Sequence, residues 1–211
     1  MLSDFNLAFF ITKAIILLVA FPIHEFAHAW TANYFGDDTP RIFGRLTLNP
    51  IKHLDPIGSI ALLLANFGWA KPVPVNPVVL QRNSRSGLML VSLAGPMSNF
   101  LMALLASIPF LIGLITPETI QSNDTIRTVS QFIVYFIYIN LLLAFFNMIP
   151  LMPLDGEKIL MHFLPPSAGR AMEQIRPYQP IILLAVVFLG SRTGILYAPV
   201  NWLLGILTGL G

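Results

Sequence analysis

Phe21-Pro22-Ile23-His24-Glu25-Phe26-Ala27-His28-Ala29-Trp30 sets two histidines four positions apart, with a glutamate beside the first, inside an apolar stretch running from about Phe5 to Tyr34. That stretch exceeds the roughly 20 residues that cross a bilayer as a helix. On a helix, positions i and i+4 share one face, so both imidazoles can reach a single ion at about 2.0–2.1 Å. Glu25 then lies where a carboxylate can take a proton from a metal-activated water and hand it to a leaving amine, the chemistry of peptide hydrolysis. The chain holds four histidines in 211 residues, so an accidental HExxH is improbable. The alternative is polar glue between helices. Ionisable groups in membrane helices are costly and usually functional, which favours the site.

Composition agrees with a membrane setting. The chain is 55% hydrophobic and 10% charged, with a mean hydropathy of +0.74, which points to an all-α polytopic membrane protein rather than a soluble globule. Cysteine is absent, which excludes a disulfide framework, a thiol nucleophile and thiolate ligands. The formal net charge is +2 and no basic run is interleaved with aromatics, so nucleic acid is not an expected partner. The first apolar stretch lacks a basic leading region and is too long for a signal peptide, so it is expected to stay in the mature protein. The polar segments 36–56 and 66–87 are too short for an appended domain, which needs roughly 50 residues. One membrane-embedded domain over 1–211 is expected, with a core at about 5–160 and accessory C-terminal helices at 161–211.

Outward from the HExxH, Pro22 removes a backbone donor to Leu18 and should kink the helix one turn before His24. Residues 39–50, with β-branched and aromatic side chains around Gly44, read as a short β-hairpin whose edge could hold an extended substrate. His53 and Asp55 follow as candidate metal or supporting groups, although a lone His-x-Asp in a loop is more often structural. The apolar run 59–67 is too short to span and reads as re-entrant or interfacial. Phe67 to Pro77 carries alternating prolines that impose an extended path, a strip that could line a substrate groove or merely link.

A second span is expected over about 86–115, with Asn99 as a hydrogen-bonding group between helices or, less directly, a substrate-positioning one. A third, over about 126–149, carries Asn140 and Asn147 seven residues apart on one face. It breaks at Pro150 and Pro153 before Asp155-Gly156, and irregular backbone at membrane depth is tolerated where it lines a cavity. Asp155 is thus a candidate third ligand; its other reading is a helix N-cap. No histidine follows His28 at a third-ligand spacing, since Thr31 and Tyr34 stand there. Glutamates 118, 157 and 173 remain as other donors, and Glu118 falls on the short turn at the opposite side. Residues 157–176 read as a partly amphipathic helix carrying His162. Pro180 to Leu210 reads as one broken span or two half-spans.

Arg41, Arg45, Lys52, Lys71, Arg82 and Arg85 lie in 36–85 and Lys158, Arg170 and Arg176 in 151–180, whereas the 117–127 turn holds only Arg127. By the positive-inside rule both rich segments are cytoplasmic, which brings the HExxH and Asp155 to the same depth.

With the HExxH, Ala94-Gly95-Pro96-Met97-Ser98-Asn99 and the Asn147-x-x-Pro150-x-x-Pro153-x-Asp155-Gly156 pattern in place, the chain resembles the site-2 protease family of intramembrane zinc metalloproteases over roughly residues 15–160. Gly68-Trp69-Ala70-Lys71-Pro72-Val73-Pro74 is similar to the short branch without PDZ or CBS domains. The resemblance implies a three-helix catalytic core, one Zn²⁺ held by His24, His28 and Asp155, Glu25 as general base, and Asn147 as a donor to the scissile carbonyl or its oxyanion. It also implies membrane-spanning segments of other proteins as substrates. Asn99, Asn140 and His53 are carried as substrate-positioning or supporting residues. The expectation is therefore a multi-pass protein of the cell membrane, its active site towards the cytoplasm, acting as a zinc endopeptidase. The competing readings are a zinc-binding scaffold without proteolysis and a solute transporter, and the latter would need a continuous polar path.

Overall fold

In a computed structural model the described residues are 11, 13–65 and 68–210. Residues 5–10 and Thr12 of the expected first helix, and Asn66 and Phe67 at the end of the expected apolar run and the head of the proline strip, lie outside them. Among the described residues three helices are long and apolar enough to cross a membrane: α1 (Lys13–Tyr34), α5 (Gly87–Leu111) and α7 (Asp124–Asn147). Between α1 and α5 lie α2 (Thr39–Ile42), α3 (Pro56–Ala65) and α4 (Pro77–Asn83). The short α6 (Pro117–Ser122) joins α5 to α7. The tail holds α8 (Asp155–Phe163), α9 (Pro166–Ile175), α10 (Gln179–Thr193) and α11 (Ala198–Thr208).

Within α1, Pro22 has no N–H for the carbonyl one turn back, and the chain answers with a π-helical turn over Ile16–Ala20. Widening by one residue is a common way for a helix to absorb such a defect. Central in the packing is α5, which meets α1, α7 and α8. Small residues allow the approach: Ala29 and Ala32 of α1, and Ala103 and Ser107 of α5, are fully buried. Ala103, Phe110, Ile137, Leu141, Val200 and Leu207 form the core shared by α5, α7 and α11. A second cluster, Leu17, Ala20, Phe21 and Leu62, seats the ten-residue α3 against α1.

The hairpin expected over 39–50 is not formed. Thr39–Ile42 is a helical turn instead, because the Asp37 carboxylate accepts from both the backbone N–H (3.0 Å) and the hydroxyl (2.5 Å) of Thr39, and Pro40 suits a first turn. Local polar capping outweighs β propensity here. Among the described residues the sole β pairing is an isolated antiparallel bridge between Leu54 and Ala70. The expected helix at 157–176 is split into α8 and α9 at Pro165-Pro166, where the residue before a proline avoids helical backbone. The tail span is broken: α9–α10 and α11 meet at a bend of 57°.

Candidate metal centre

His24 and His28 project from the C-terminal half of α1 towards α5, and Asp155 enters from the first turn of α8. All three are buried. The two Nε2 atoms lie 3.0 Å apart, and Asp155 Oδ2 lies 3.3 Å from that of His24 and 3.2 Å from that of His28. Tetrahedral ligation at about 2.0–2.1 Å requires ligand atoms about 3.3–3.4 Å apart, so this spacing suits one ion.

Protonation follows from the partners. His28 Nδ1 faces the carbonyl of Val91 at 2.7 Å, which can only accept, so Nδ1 carries the proton. For His24 the direction is set two residues away. Asn140 donates Nδ2–H to the carbonyl of Phe136 (2.9 Å), so its Oδ1 accepts from Asn99 Nδ2 (2.9 Å), and Asn99 Oδ1 is left to accept from His24 Nδ1 (2.6 Å). Each carbonyl anchor thus turns an Nε2 lone pair inward. Two imidazole lone pairs and a carboxylate oxygen converge in a buried space, a set of acceptors that repel one another unless a cation sits between them.

Two glycines make room. A Cβ on Gly95 would lie 2.3 Å from His28 Nε2 and 2.6 Å from His24 Cε1. A Cβ on Gly156 would lie 2.3 Å from the carbonyl oxygen of Met148 and 2.5 Å from that of Ile149, so only glycine lets α8 start against the broken end of α7. The N-cap position of α8 is Leu154, and Asp155 makes no capping bond, which leaves its carboxylate for the histidines.

A cavity of about 430 Å³ opens at the group, walled by Phe21, Glu25, Trp69, Val73, Asn147 and Leu183, among others. Glu25 Oε2 accepts the N–H of Val73 at 3.0 Å. Asn147 Nδ2 donates to the carbonyl of Leu143 at 3.0 Å, and its second amide hydrogen remains for the cavity. Asn99 and Asn140 are fully buried behind His24 rather than in the cavity.

His53 does not join the cluster: it is fully buried, Nε2 donates to the carbonyl of Thr47 at 2.7 Å, and burial pushes its pKa down. Asp55 caps α3 through the N–H of Gly58 (2.8 Å), His162 meets Ser86, and Glu157 pairs with Arg176. Sequence reading missed Lys158, whose Nζ lies 3.9 Å from Asp155 Oδ1 at the cavity wall, although a lysine one turn after a candidate ligand was a signal for it. It also missed Leu183, since nothing in an apolar tail shows which side chain returns to the site.

A buried pair of imidazoles within a membrane-length helix, joined by one carboxylate, is a donor set that suits a divalent metal. The chain belongs to peptidase family M50, the site-2 proteases. The profile of that family matches residues 110–190. The "Putative zinc metalloprotease YwhC" of Bacillus subtilis is 42% identical over 188 residues, covering 89% of this chain and 84% of that protein. The "Putative zinc metalloprotease Rip2" of Mycobacterium tuberculosis is 30% identical over 190 residues, covering 88% of this chain and 70% of that one. Its namesake in Mycolicibacterium smegmatis is 29% identical over 192 residues, with the same coverage. No solved structure matches the chain.

Proposed function

We propose that this protein is an intramembrane zinc endopeptidase that hydrolyses peptide bonds within or near the transmembrane segments of other membrane proteins. The observation that carries the reading is the convergence of His24 Nε2, His28 Nε2 and Asp155 Oδ2 within 3.3 Å, buried between the membrane-length helices α1 and α5 and the start of α8 and open to a cavity that Glu25 and Asn147 share.

A zinc ion held by His24, His28 and Asp155 supplies Lewis acidity, lowering the pKa of water towards neutrality and polarising a carbonyl. Glu25 takes a proton from the attacking water as its oxygen bonds to the scissile carbonyl carbon. The same carboxyl returns that proton to the amide nitrogen as the C–N bond breaks, which leaves an amine and a carboxylic acid whose remaining proton is then lost to solvent. The Val73 N–H holds Oε2 and so leaves Oε1 to face the cavity. Asn147 donates its free amide hydrogen to the scissile carbonyl oxygen and stabilises the charge that grows there. A helical substrate has its carbonyls closed in i to i−4 bonds, so the bond to be cut must be presented unwound. The extended strip of residues 70–75 along the cavity gives such a segment a wall to lie against.

Metal analysis on the purified chain tests this. About one zinc per chain is expected in the wild type and in Glu25→Gln, and none in His24→Ala or Asp155→Ala. Cleavage of a membrane-spanning peptide should be absent from the two zinc-free variants and fall by about 10²–10⁴-fold in Glu25→Gln. Zinc retained in Asp155→Ala removes the third ligand. Zinc without any Glu25-dependent cleavage leaves a metal-binding scaffold.

A further inference from the structure

One buried charge has no part in that chemistry. Arg45 is 4% exposed, and its guanidinium donates through Nη2 to the carbonyl of Lys71, while its Nε has no partner among the described residues. Burying a guanidinium is costly unless something needs it there. The segment around it is folded for the purpose: Gly44 turns at φ +65, Arg45 N–H donates to the carbonyl of Pro40 at 2.7 Å, and His53 ties the following loop to Thr47.

The peptide of Lys71 is held from both sides. Its N–H donates to the carbonyl of His53 at 2.7 Å, its carbonyl accepts from Arg45, and its neighbour Ala70 forms the bridge with Leu54. Two residues on, Val73 sits between Pro72 and Pro74, which have no N–H, and its own N–H is the one that reaches Glu25. The path from Arg45 to the carboxylate is therefore Lys71, Pro72, Val73, a stretch whose prolines leave little rotational freedom. Arg45 is lowered in pKa by burial, and the facing charge of Glu25 acts the other way.

We propose that Arg45 is a positioning residue: it seats the strip of residues 70–73 so that the Val73 N–H aims the Glu25 carboxylate into the cavity. The catalytic half of this rests on Glu25 acting as proposed above; the seating half does not.

The chain has no cysteine, so Leu54→Cys/Ala70→Cys reports strip seating without background in the full-length purified protein. Residues facing across an antiparallel bridge have Cα atoms about 4.5–5.5 Å apart, within disulfide range. In Arg45→Met the rate of cross-linking is expected to fall roughly tenfold or more, as loss of a buried charged hydrogen bond implies. Zinc content should stay at the wild-type value. With a quenched fluorogenic apolar peptide, kcat should fall while KM changes little, and closing the disulfide should restore most of the lost kcat. Arg45→Lys, which keeps the charge but not the planar fork, should lie between the two. Wild-type cross-linking in Arg45→Met overturns the proposal, as does a loss of kcat that the disulfide leaves unrepaired. Should Arg45→Met fail to fold, Arg45→Lys decides by the same cross-linking rate, and a wild-type rate there with reduced kcat also overturns it. Cross-linking needs no substrate, so slowed cross-linking with no Glu25-dependent cleavage in any variant removes the peptidase reading and leaves the seating role in place.

Discussion

At Gly95 the space a side chain would take is already occupied by two imidazoles, with a Cβ falling 2.3 Å from one and 2.6 Å from the other. The rings are fixed at Nδ1 by Val91 and Asn99 and cannot step aside cheaply. Gly95→Ala is therefore expected to fold, by circular dichroism, and to lose zinc, by elemental analysis; full zinc occupancy would mean that the rings have room to move. Glu25→Gln keeps the shape of the side chain but cannot take a proton, and cleavage should fall by about 10²–10⁴-fold with zinc retained. Asn140 acts at two removes. Asn140→Leu takes away the acceptor of the Asn99 amide and frees Asn99 to rotate, so the Oδ1 that orients His24 is no longer held in place and zinc affinity should fall about 10–100-fold in a chelator competition titration, the usual effect of losing a group behind a ligand. The sequence marked Asn99 and Asn140 as polar groups at depth, and the HExxH marked His24. That the three form one directed chain depends on the rotation of α5 and α7 about their axes, which periodicity alone does not determine.

Elements were legible where their cause is local. Hydropathy placed α5 and α7 to within a few residues, because a span must be long and apolar, and Asn123 caps α7 through the N–H groups of Thr125 and Ile126. The hairpin at 39–50 failed because its β-branched residues were outbid by the Asp37 carboxylate. That carboxylate is itself held by the N–H of Asn76 at 2.6 Å, a partner 39 positions away. The loop that carries Asp155 shows the same dependence on distant groups. Gln179 accepts the N–H of Met152 at 2.8 Å, and Arg176 reaches the buried Glu157 at 3.0 Å, so the tail holds the loop from behind. Arg176→Met would leave Glu157 buried without its partner, at a cost of about 1–2 kcal/mol. That is less than for a fully buried pair, because Arg176 is half-exposed and water screens it. Thermal unfolding in detergent should show a lowered midpoint in Arg176→Met and a smaller change in Arg176→Lys.

For the whole molecule, the ends of the helices constrain one another. The C-terminal end of α1 and the break after α7 must lie at one membrane face, because His24, His28 and Asp155 meet there. The start of α5 follows α1 on that face, which places α6 at the other. Charge assigns the sides: Arg41, Lys52, Arg82 and Arg85 on the first face stand against Arg127 on the second, and that arginine is paired with Asp124 at 2.9 Å. We therefore propose that the metal site faces the cytoplasm. Lys52 and Gln121 are both exposed and lie at opposite ends of the bundle, so Lys52→Cys and Gln121→Cys can be introduced one at a time into a chain with no other cysteine. A membrane-impermeant maleimide should label Gln121→Cys in intact cells and Lys52→Cys only after permeabilisation. The opposite pattern inverts the orientation while keeping the three spans, because both results need the two sites separated by the bilayer. Equal labelling of both in intact cells would break the three-span arrangement itself, and with it the argument that sequence-distant ligands reach one depth from one side.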